Sequence, residues 1–332
     1  MTAQSFLIAL VASTVGVPLV RVIAVRIRLV DVPNDRSSHE SLVPRGAGIA
    51  VTLAVLLAMF VAADAWTQAA TGLVIGSFLL ASLGLSDDIH SLTAHFRLAA
   101  QIAIVAVSVP LLLMNFTGPT WWLIVFGIGT VCWCLAYVNA FNFMDGINGM
   151  SVAQATVAGL AIALMGHRWH VSLLTIAGMA IAGAAIGFAP FNVPRARIFL
   201  GDVGAYFLGF WLAALLVIEL RAGVPTEVAI APYLLYLGDT GTTIVRRIRR
   251  RENLRFGHRQ HAYQRLTDHG WSHPAVSLLA GAVIAFSTLV MIALDHSAAP
   301  LRACGFGVAL APVIAFVLLP SVLSRRAQID AT

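Results

Sequence analysis

Two adjacent aspartates, Asp87 and Asp88, are the first residues in this sequence whose type and spacing suggest chemistry. Neighbouring carboxylates repel one another, so an arginine or a divalent metal ion usually compensates their charge. A third aspartate, Asp202, lies between Gly201 and Gly204. Because glycine has no side chain, little steric shielding of the Asp202 carboxylate is expected. Because magnesium takes carboxylate oxygens together with phosphate oxygens, the three aspartates predict a site for phosphate chemistry. A solvated helix end for the pair and a helix N-cap for Asp202 are the alternative interpretations.

The segment 139–149 carries four short polar side chains at intervals of three residues, Asn139, Asn142, Asp145 and Asn148. Two of them precede glycine, and such pairs form tight turns in which glycine adopts a positive φ and lets backbone N–H groups approach a ligand. In a helix-like turn this spacing aligns the four side chains on one face. The segment is therefore predicted to bind a substrate.

Basic residues cluster in the last polar segment, where an arginine-rich run at 246–251 precedes His258, Arg259 and His261. Such a run beside a membrane usually fixes topology or contacts lipid headgroups. The two histidines and Arg259 differ from it, because they offer donors suited to a diphosphate and arginine can bind phosphate oxygens in bidentate fashion. Further polar candidates lie in two earlier segments: Arg36, His39, Arg45 and Asn192.

Long apolar helices are the elements that must position these residues. Only 11% of the 332 residues are charged and 59% are hydrophobic, whereas about 25% charged residues are typical of soluble domains. The apolar blocks approach the length of about 20 residues that a helix needs to cross a bilayer, and the alternation of a barrel strand is absent. The sequence predicts an all-α integral membrane protein, a bundle of about 10–11 transmembrane helices with a cytoplasmic active-site face, forming one domain over residues 1–332. The predicted spans are 3–23, 47–63, 70–86, 97–114, 120–138, 149–165, 171–189, 205–220, 228–245, 275–294 and 301–323.

Arginine is distributed unevenly over the connections between these spans, and the sequence contains no lysine. One set of connections holds only Arg168, Arg221 and Arg302, while the other set holds the remaining arginines. Because short cytoplasmic loops accumulate positive residues, the amino terminus is predicted outside and the carboxyl terminus inside. The same bias and the attraction of anionic lipids account for the net charge of +6 without a nucleic-acid partner.

Together these motifs resemble those of the polyprenyl-phosphate N-acetylhexosamine-1-phosphate transferases, within the glycosyltransferase 4 superfamily. The resemblance spans most of the chain, and although one motif alone would be weak evidence, five in the family's order are strong evidence. The motifs are Asp31-Val32-Pro33 with Arg36, His39, Pro44 and Arg45; Asp87-Asp88; residues 139–149; Asn192 with residues 201–204; and the arginine run ending in Arg259-Gln260-His261.

The resemblance implies transfer of an N-acetylhexosamine 1-phosphate from a UDP-N-acetylhexosamine to undecaprenyl phosphate, with release of UMP, in a bacterial inner membrane. Asp87 would be the base or orienting group for the acceptor, Asp88 its helper, and Asp202 the ligand of Mg²⁺, with Mn²⁺ as an alternative. His261 would act at the diphosphate, and a homodimer is one expected arrangement in the lipid bilayer. The residues expected around the substrates are Asn139, Asn142, Asp145, Asn148, Asn192, Arg259, His258, Arg36, His39 and Arg45.

Two departures from the family pattern bear on the substrate. The sequence has His261-Ala262-Tyr263 where many members have a His-x-His or triple-histidine run, and Ser37 where many have lysine. Both features resemble the branch that begins O-antigen or exopolysaccharide chains, whose donors include UDP-GlcNAc and 6-deoxy sugars such as UDP-FucNAc or UDP-QuiNAc. A muramoyl-pentapeptide donor is therefore not expected.

Two other classes of membrane protein are the alternatives. A lipid-linked sugar transporter or flippase predicts ionisable residues through the membrane midplane and a repeated architecture. In the predicted map Asp239 lies within a span, but near its inner end, and no internal repeat is evident. A scaffolding protein gives no reason for five polar segments to share one face.

Overall fold

Long helices make up most of the computed structural model, which describes residues 2–31, 42–63, 66–253 and 258–330. A 3-10 turn at Ala231–Tyr233 separates the ninth helix from the tenth, and a short antiparallel pair joins β1 (Val30–Asp31) to β2 (Val43–Pro44). The helices are α1 (Thr2–Arg26), α2 (Gly48–Ala62), α3 (Gln68–His90), α4 (Ala94–Leu113), α5 (Thr120–Met144), α6 (Met150–Arg168), α7 (Ser172–Asn192), α8 (Gly201–Arg221), α9 (Thr226–Ala229), α10 (Leu234–Arg249), α11 (Ala262–Asp268), α12 (His273–Ala293) and α13 (Ala299–Asp330).

Among the described residues, ten helical segments are long and apolar enough to cross a membrane, with α9 and α10 counted as the single segment Thr226–Arg249. The shorter α2 has 15 residues, about 22 Å at the usual helical rise. It still runs between the two ends of the bundle, because Gly48 meets Gly204 at one end while Met59 and Ala63 line a cavity with Arg221 at the other. The prediction of an all-α integral membrane protein is confirmed. Each predicted span overlaps a helix, and the ninth span, 228–245, covers the end of α9, the 3-10 turn and most of α10.

Local sequence signals explain where several helices begin. Thr67 caps α3 by accepting a hydrogen bond from Ala70, Thr93 does the same for Phe96 in α4, and Ser272 caps α12. A side-chain oxygen at this position satisfies a backbone N–H that has no partner within the helix. In a lipid environment unpaired backbone groups are especially costly, so capped helix ends stabilise the segment boundaries.

The helix α8 lies at the centre of the bundle, and 94% of its most apolar 18-residue stretch is buried. It packs against α3 and α5, while α7 packs between α1 and α6. A Cβ at Gly183 of α7 would lie 2.3 Å from the carbonyl oxygen of Phe6, so only glycine permits this approach of α1. The helices α1, α4, α5 and α13 expose large apolar side chains such as Leu19 and Trp121, as expected for surfaces that contact lipid.

The two predicted sets of connections lie at opposite ends of the bundle. At one end, called the polar end below, Asp88 contacts Arg45 and the start of α8. At the other end Arg168 pairs with Asp295 at 2.7 Å. The contacts that hold this second end also include Gln68 with Asn115 and Arg302 with Glu227.

Several helices continue beyond the predicted spans. The prediction ended the third span at 86, but α3 runs to His90, so Asp87 and Asp88 lie in its last turn. The prediction that 139–148 forms a loop was wrong for Asn139 and Asn142, since α5 extends to Met144. Another helix, α11, interrupts the predicted connection 246–274. Hydropathy marks where a helix leaves the apolar layer, whereas backbone hydrogen bonding continues into polar residues.

Candidate active site

Asp87 is held at the polar end by three donors. Its Oδ1 accepts from the backbone N–H of Leu92 at 2.8 Å, and its Oδ2 accepts from Arg97 and from the hydroxyl of Tyr206, both at 3.0 Å. The residue is only 4% exposed, so it is not the solvated helix end considered above. These contacts fix the carboxylate between α3, α4 and α8.

Asp88 acts as a cap for the neighbouring helix. Its two carboxylate oxygens accept from the backbone N–H groups of Asp202 at 3.2 Å and Val203 at 3.1 Å, in the first turn of α8. Such N–H groups have no acceptor within their own helix, and the helix dipole favours an anion there. The alternative of Asp202 as an N-cap is therefore wrong, since Asp202 is the second residue of α8 and Asp88 provides the acceptor.

Arg45 neutralises part of this charge. Its guanidinium donates to the backbone carbonyl of Asp88, and its Nε lies 3.6 Å from Asp88 Oδ1. The strand β2 and the residues after it place Arg45, because Phe199 donates to Pro44 at 2.8 Å and accepts from Gly46 at 3.2 Å. The first polar segment and the segment before α8 are thus joined at the acidic pair.

Asp202 completes a group of three carboxylates, called the acidic centre below: Asp87, Asp88 and Asp202. Asp202 lies close enough to the other two for their negative charges to act on it, and the charge of Arg97 opposes them. A Cβ at Gly84 would lie 2.3 Å from the carbonyl oxygen of Asp202, so glycine is required for this approach of α3 to α8. With Arg45 and Arg97 as its two ion-pairing arginines, the centre carries three carboxylates against two guanidinium groups.

This excess of negative charge fits a divalent cation. Among residues 2–31, 42–63, 66–253 and 258–330, no three acidic, histidine or cysteine side chains are arranged to enclose a metal ion by themselves. Magnesium usually binds through one or two carboxylates together with substrate phosphates, so such an enclosure is not required. Since Asp87 and Asp88 already accept from several donors, Asp202 is the carboxylate best suited to a metal ion that also contacts a substrate phosphate.

The four Asx residues at 139–148 divide between the end of α5 and the segment that follows it. Asn139 donates to Gln101 of α4 at 2.8 Å, whereas Asn148 donates to the carbonyl of Pro194 at 3.2 Å. Asn192 is buried, and its Oδ1 accepts from the backbone N–H of Gly149 at 2.6 Å. The predicted alignment assumed a continuous helix-like turn, but α5 ends at Met144 and the chain then turns away.

Asp145, which follows α5, links this segment to the acidic centre. The pKa of its carboxyl is raised to about 7, mainly by burial and to a smaller extent by the charge of Asp88, while a hydrogen bond from Ser151 opposes the shift. The tight turn after it is packed by Tyr263, whose hydroxyl donates to the carbonyl of Phe143 at 2.8 Å. The segment 139–149 therefore contacts both the acidic centre and the start of α11.

The predicted basic residues of the last segment lie around α11. His261 is 2% exposed, and its Nδ1 lies 3.3 Å from Oδ1 of the fully buried Asp239. The rings of His258 and His261 have their centroids 5.0 Å apart, and Arg259 pairs with Asp268 at 3.0 Å. Burial, followed by the charges of His261 and Arg247, lowers the pKa of His258 to about 4, so this ring is neutral at physiological pH.

Two of the predicted substrate-binding residues, Arg36 and His39, lie outside the described residues. The structure also reveals contacts that the sequence reading missed. Tyr206 and Arg97 hold Asp87, and Tyr263 joins α11 to the segment after α5. The position of Tyr206, one helical turn after Asp202, was the available signal for a side chain near the acidic centre.

Residues 70–219 match the family model of glycosyl transferase family 4. A probable undecaprenyl-phosphate N-acetylglucosaminyl 1-phosphate transferase of Bacillus subtilis is 27% identical over 301 residues, covering 86% of this chain and 84% of the relative. Over residues 70–219 the chain is similar to glycosyl transferase family 4. A decaprenyl-phosphate N-acetylglucosaminephosphotransferase of Mycolicibacterium smegmatis is 28% identical over 354 residues, covering 92% of this chain and 85% of the relative. An undecaprenyl-phosphate alpha-N-acetylglucosaminyl 1-phosphate transferase of Thermotoga maritima is 30% identical over 197 residues, covering 58% of this chain and 57% of the relative.

The match to this family model and the similarity to these relatives confirm the family resemblance inferred from the motifs, and they favour a membrane transferase over a transporter or a scaffold. The matched range 70–219 contains the acidic centre, the Asx segment and Asn192. Arg45, His258, Arg259 and His261 lie outside that range, so their connection to the site depends on the contacts described above.

Proposed function

We propose that this protein transfers N-acetylglucosamine 1-phosphate, or a closely related N-acetylhexosamine 1-phosphate, from a UDP-sugar to undecaprenyl phosphate and releases UMP. The acidic centre is the observation that carries the proposal. Three carboxylates meet two arginines at the end of a membrane-embedded helix pair, where a lipid phosphate and a soluble nucleotide can both arrive. The names of the three relatives support N-acetylglucosamine as the first sugar to test.

In the proposed reaction, an oxygen of the lipid phosphate forms a bond to the phosphorus that carries the sugar. The bond from that phosphorus to the bridging oxygen breaks, and the bridging oxygen leaves with UMP. Both reactants are anions, so positioning and charge neutralisation are the main tasks of the protein. Direct attack balances this exchange without a covalent enzyme intermediate.

Asp87 and Asp88 have distinct tasks in this proposal. Asp88 holds the first turn of α8 and with it the backbone of Asp202. Arg97 and Tyr206 fix Asp87 by donating hydrogen bonds to its Oδ2. In the proposal, Asp87 and these two donors together orient the acceptor phosphate. The partly exposed guanidinium groups of Arg45 and Arg97 reduce the repulsion between the carboxylates and an incoming phosphate.

Asp202 would hold Mg²⁺, or Mn²⁺ in its place, together with a diphosphate oxygen of the donor. When bound, the ion neutralises phosphate charge and polarises the reacting phosphoryl group. Asp145 and Asn148 border the same end of the bundle and would contact the nucleotide sugar, while Asn192 holds the backbone of their turn.

We also infer that the polar end faces the cytoplasm, with the amino terminus outside and the carboxyl terminus inside. The three arginines of the opposite end are each engaged locally: Arg168 by Asp295, Arg302 by Glu227, and Arg221 by the carbonyls of Leu112 and Met114. Within the described parts of the chain, the remaining arginines belong to segments of the polar end, as the positive-inside rule expects. A cysteine at position 145 should then resist an impermeant thiol reagent applied to intact cells, and labelling there would contradict this orientation.

The activity is tested with purified protein in detergent or nanodiscs. Undecaprenyl phosphate and magnesium are supplied with a panel of UDP-GlcNAc, UDP-GalNAc, UDP-FucNAc and UDP-QuiNAc, and both UMP and the lipid product are measured. We expect turnover with at least one donor, and the preferred donor would show whether O-antigen or exopolysaccharide initiation is a suitable pathway to test in cells. The absence of turnover with every donor, or lipid movement between leaflets without UMP release, would contradict the proposal.

A further inference from the structure

Asp239 is a fully buried carboxylate that the proposed reaction does not use. It lies in α10, one helix away from the acidic centre, and both of its oxygens accept hydrogen bonds from the start of α11. Oδ1 accepts from the backbone N–H of Ala262 at 2.8 Å, and Oδ2 accepts from that of Tyr263 at 3.3 Å. Thr243, one turn further along α10, places its hydroxyl 3.3 Å from Oδ1.

These backbone contacts require a particular state of the carboxyl group. A carboxylate is an acceptor only, and two N–H groups directed at its two oxygens favour that ionised form. The carboxylate sits at the amino end of α11, where the dipole of the helix also favours a negative charge. Asp239 therefore offers an acceptor to the remaining neighbour on Oδ1, the Nδ1 atom of His261 at 3.3 Å.

The direction of this contact depends on the tautomer of the histidine. When Nδ1 donates to the carboxylate, Nδ1 carries the proton, which leaves Nε2 as the ring nitrogen that can face a substrate. In the neutral ring Nε2 then accepts a hydrogen bond, and in the protonated ring it donates one. The backbone N–H of Gln264, in the first turn of α11, is also placed to donate to the His261 side chain as part of a capping box. That contact requires an unprotonated Nδ1, whereas donation to Asp239 requires Nδ1–H, and experiment distinguishes the two arrangements.

Neighbouring groups restrict the ring further. Gln264 accepts from the backbone N–H of His261 at 3.2 Å, so the chain direction at the start of α11 is set. The ring of Tyr263 stacks near that of His261 with centroids 5.7 Å apart, and the ring of Phe143 lies 6.1 Å from it. The last contact brings His261 beside the end of α5, which Asp145 follows directly.

We propose that Asp239 is a positioning residue that holds His261 in the Nδ1–H form, so that Nε2 is directed at the diphosphate of the bound substrates. This inference rests on the proposed transfer reaction for its functional meaning, but the protonation pattern of His261 is a property of the substrate-free protein. Replacement of an aspartate that orients a catalytic histidine can lower turnover by about 10⁴-fold where the histidine transfers a proton. A smaller loss, about tenfold or more in kcat, is expected where the ring contacts phosphate oxygens.

The first experiment measures the tautomer directly. The full chain is labelled with ¹⁵N-histidine, and nitrogen shifts are recorded for the neutral ring in nanodiscs, with His261→Gln used to assign the signal. We expect His261 to carry its proton on Nδ1 in the unaltered protein, and Asp239→Asn to move the proton to Nε2 or give a mixture. A proton on Nε2 in the unaltered protein would overturn the inference.

The second experiment separates positioning from stability. Asp239→Asn should lower kcat while KM for each substrate changes by less than about threefold, because the substrates are bound by other residues. Asp239→Glu keeps an acceptor for Nδ1 and should recover part of the lost kcat. The matched control is Asp295→Asn at the opposite end, where a buried aspartate pairs with Arg168; this change should leave the His261 signal and kcat unaltered.

The outcomes also distinguish this inference from the proposed function. If the unaltered protein turns over no donor, the proposed function fails, while the nitrogen shifts still decide the tautomer. If turnover is observed but Asp239→Asn changes neither the tautomer nor kcat, the positioning role is wrong and the proposed function stands. If Asp239→Asn does not fold, the shifts of the unaltered protein and the kcat of Asp239→Glu decide the question, and a Glu variant no better than His261→Gln would contradict the inference.

Discussion

The acidic centre and the Asp239 cluster are two groups of buried carboxylates with opposite charge balances. The acidic centre brings three carboxylates together with two ion-pairing arginines. Its Asp202 lies in the first turn of α8 but does not cap that helix. Asp239 stands alone among donors, two backbone N–H groups, a hydroxyl and an imidazole. The first group is short of positive charge, whereas both carboxylate oxygens of the second accept from donors of the protein.

This difference indicates what each group can do. A buried negative charge without full compensation favours a cation or a cation with its substrate, because desolvation otherwise makes the ionised form costly. A carboxylate whose acceptors are all used by fixed donors cannot take another ligand without losing one of them. It instead orders the donors, which here are the start of α11 and the ring of His261.

The largest predicted effect is that of Asp202→Asn. Loss of the carboxylate should reduce turnover by about 10²–10³-fold, as found when a group that stabilises developing charge is removed. The reduction is measured as UMP release under saturating donor and acceptor. Asp295→Asn, a buried aspartate at the opposite end, serves as the control, and equal losses in the two variants would show that the effect is on folding.

The next effect concerns the helix cap. In Asp88→Asn an amide replaces the acceptor of two backbone N–H groups, and the ion pair with Arg45 is lost. A hydrogen bond to a charged group contributes about 1.5–3 kcal/mol, so thermal unfolding in detergent should occur at a clearly lower temperature. Unchanged unfolding, with activity alone reduced, would show that Asp88 contacts substrate and does not stabilise α8.

A change at Gly84 tests the spacing within the acidic centre without touching a charge. A Cβ at this position would lie 2.3 Å from the backbone oxygen of Asp202, and Gly84→Ala should therefore separate α3 from α8 at a cost of about 1–3 kcal/mol. Turnover should fall together with stability. Gly129→Ala, in α5 with no atom within 4 Å of the added Cβ, is the matched control and should preserve both.

The sequence was sufficient for the architecture and for the membership of the acidic centre, but not for its internal contacts. Apolar blocks of helical length define the spans, and Asp87, Asp88 and Asp202 were grouped by their motifs. That Asp88 caps α8 could not be read from the sequence, because the partners are more than a hundred residues apart and their approach depends on the packing at Gly84. The partner of Asp239 was missed for a related reason, since α11 is a short helix in a polar segment with little hydropathy signal.

The smallest effect is a dependence of stability on pH through Asp145. Its folded-state pKa of about 7 lies above the ordinary value of 3.8, so the folded protein holds this proton more tightly than the unfolded chain. The resulting stability is fully present below the unfolded pKa and is lost as the pH rises to about 7, beyond which it no longer changes. In Asp145→Asn the unfolding temperature of substrate-free protein should fall less between about pH 5 and pH 7 than in the unaltered protein. An identical slope in both proteins would contradict the raised pKa.

The most direct test of the different tasks of the two carboxylate groups is the magnesium concentration that gives half-maximal turnover. Radiolabelled UDP-GlcNAc, or the donor preferred in the panel, makes the residual activity of weak variants measurable. Asp202→Asn should raise this magnesium concentration by about tenfold or more, since a metal-bound carboxylate is lost. Asp239→Asn should lower kcat but change the half-maximal magnesium concentration by less than about twofold. An unchanged magnesium requirement in Asp202→Asn, or an equal increase in both variants, would contradict the account.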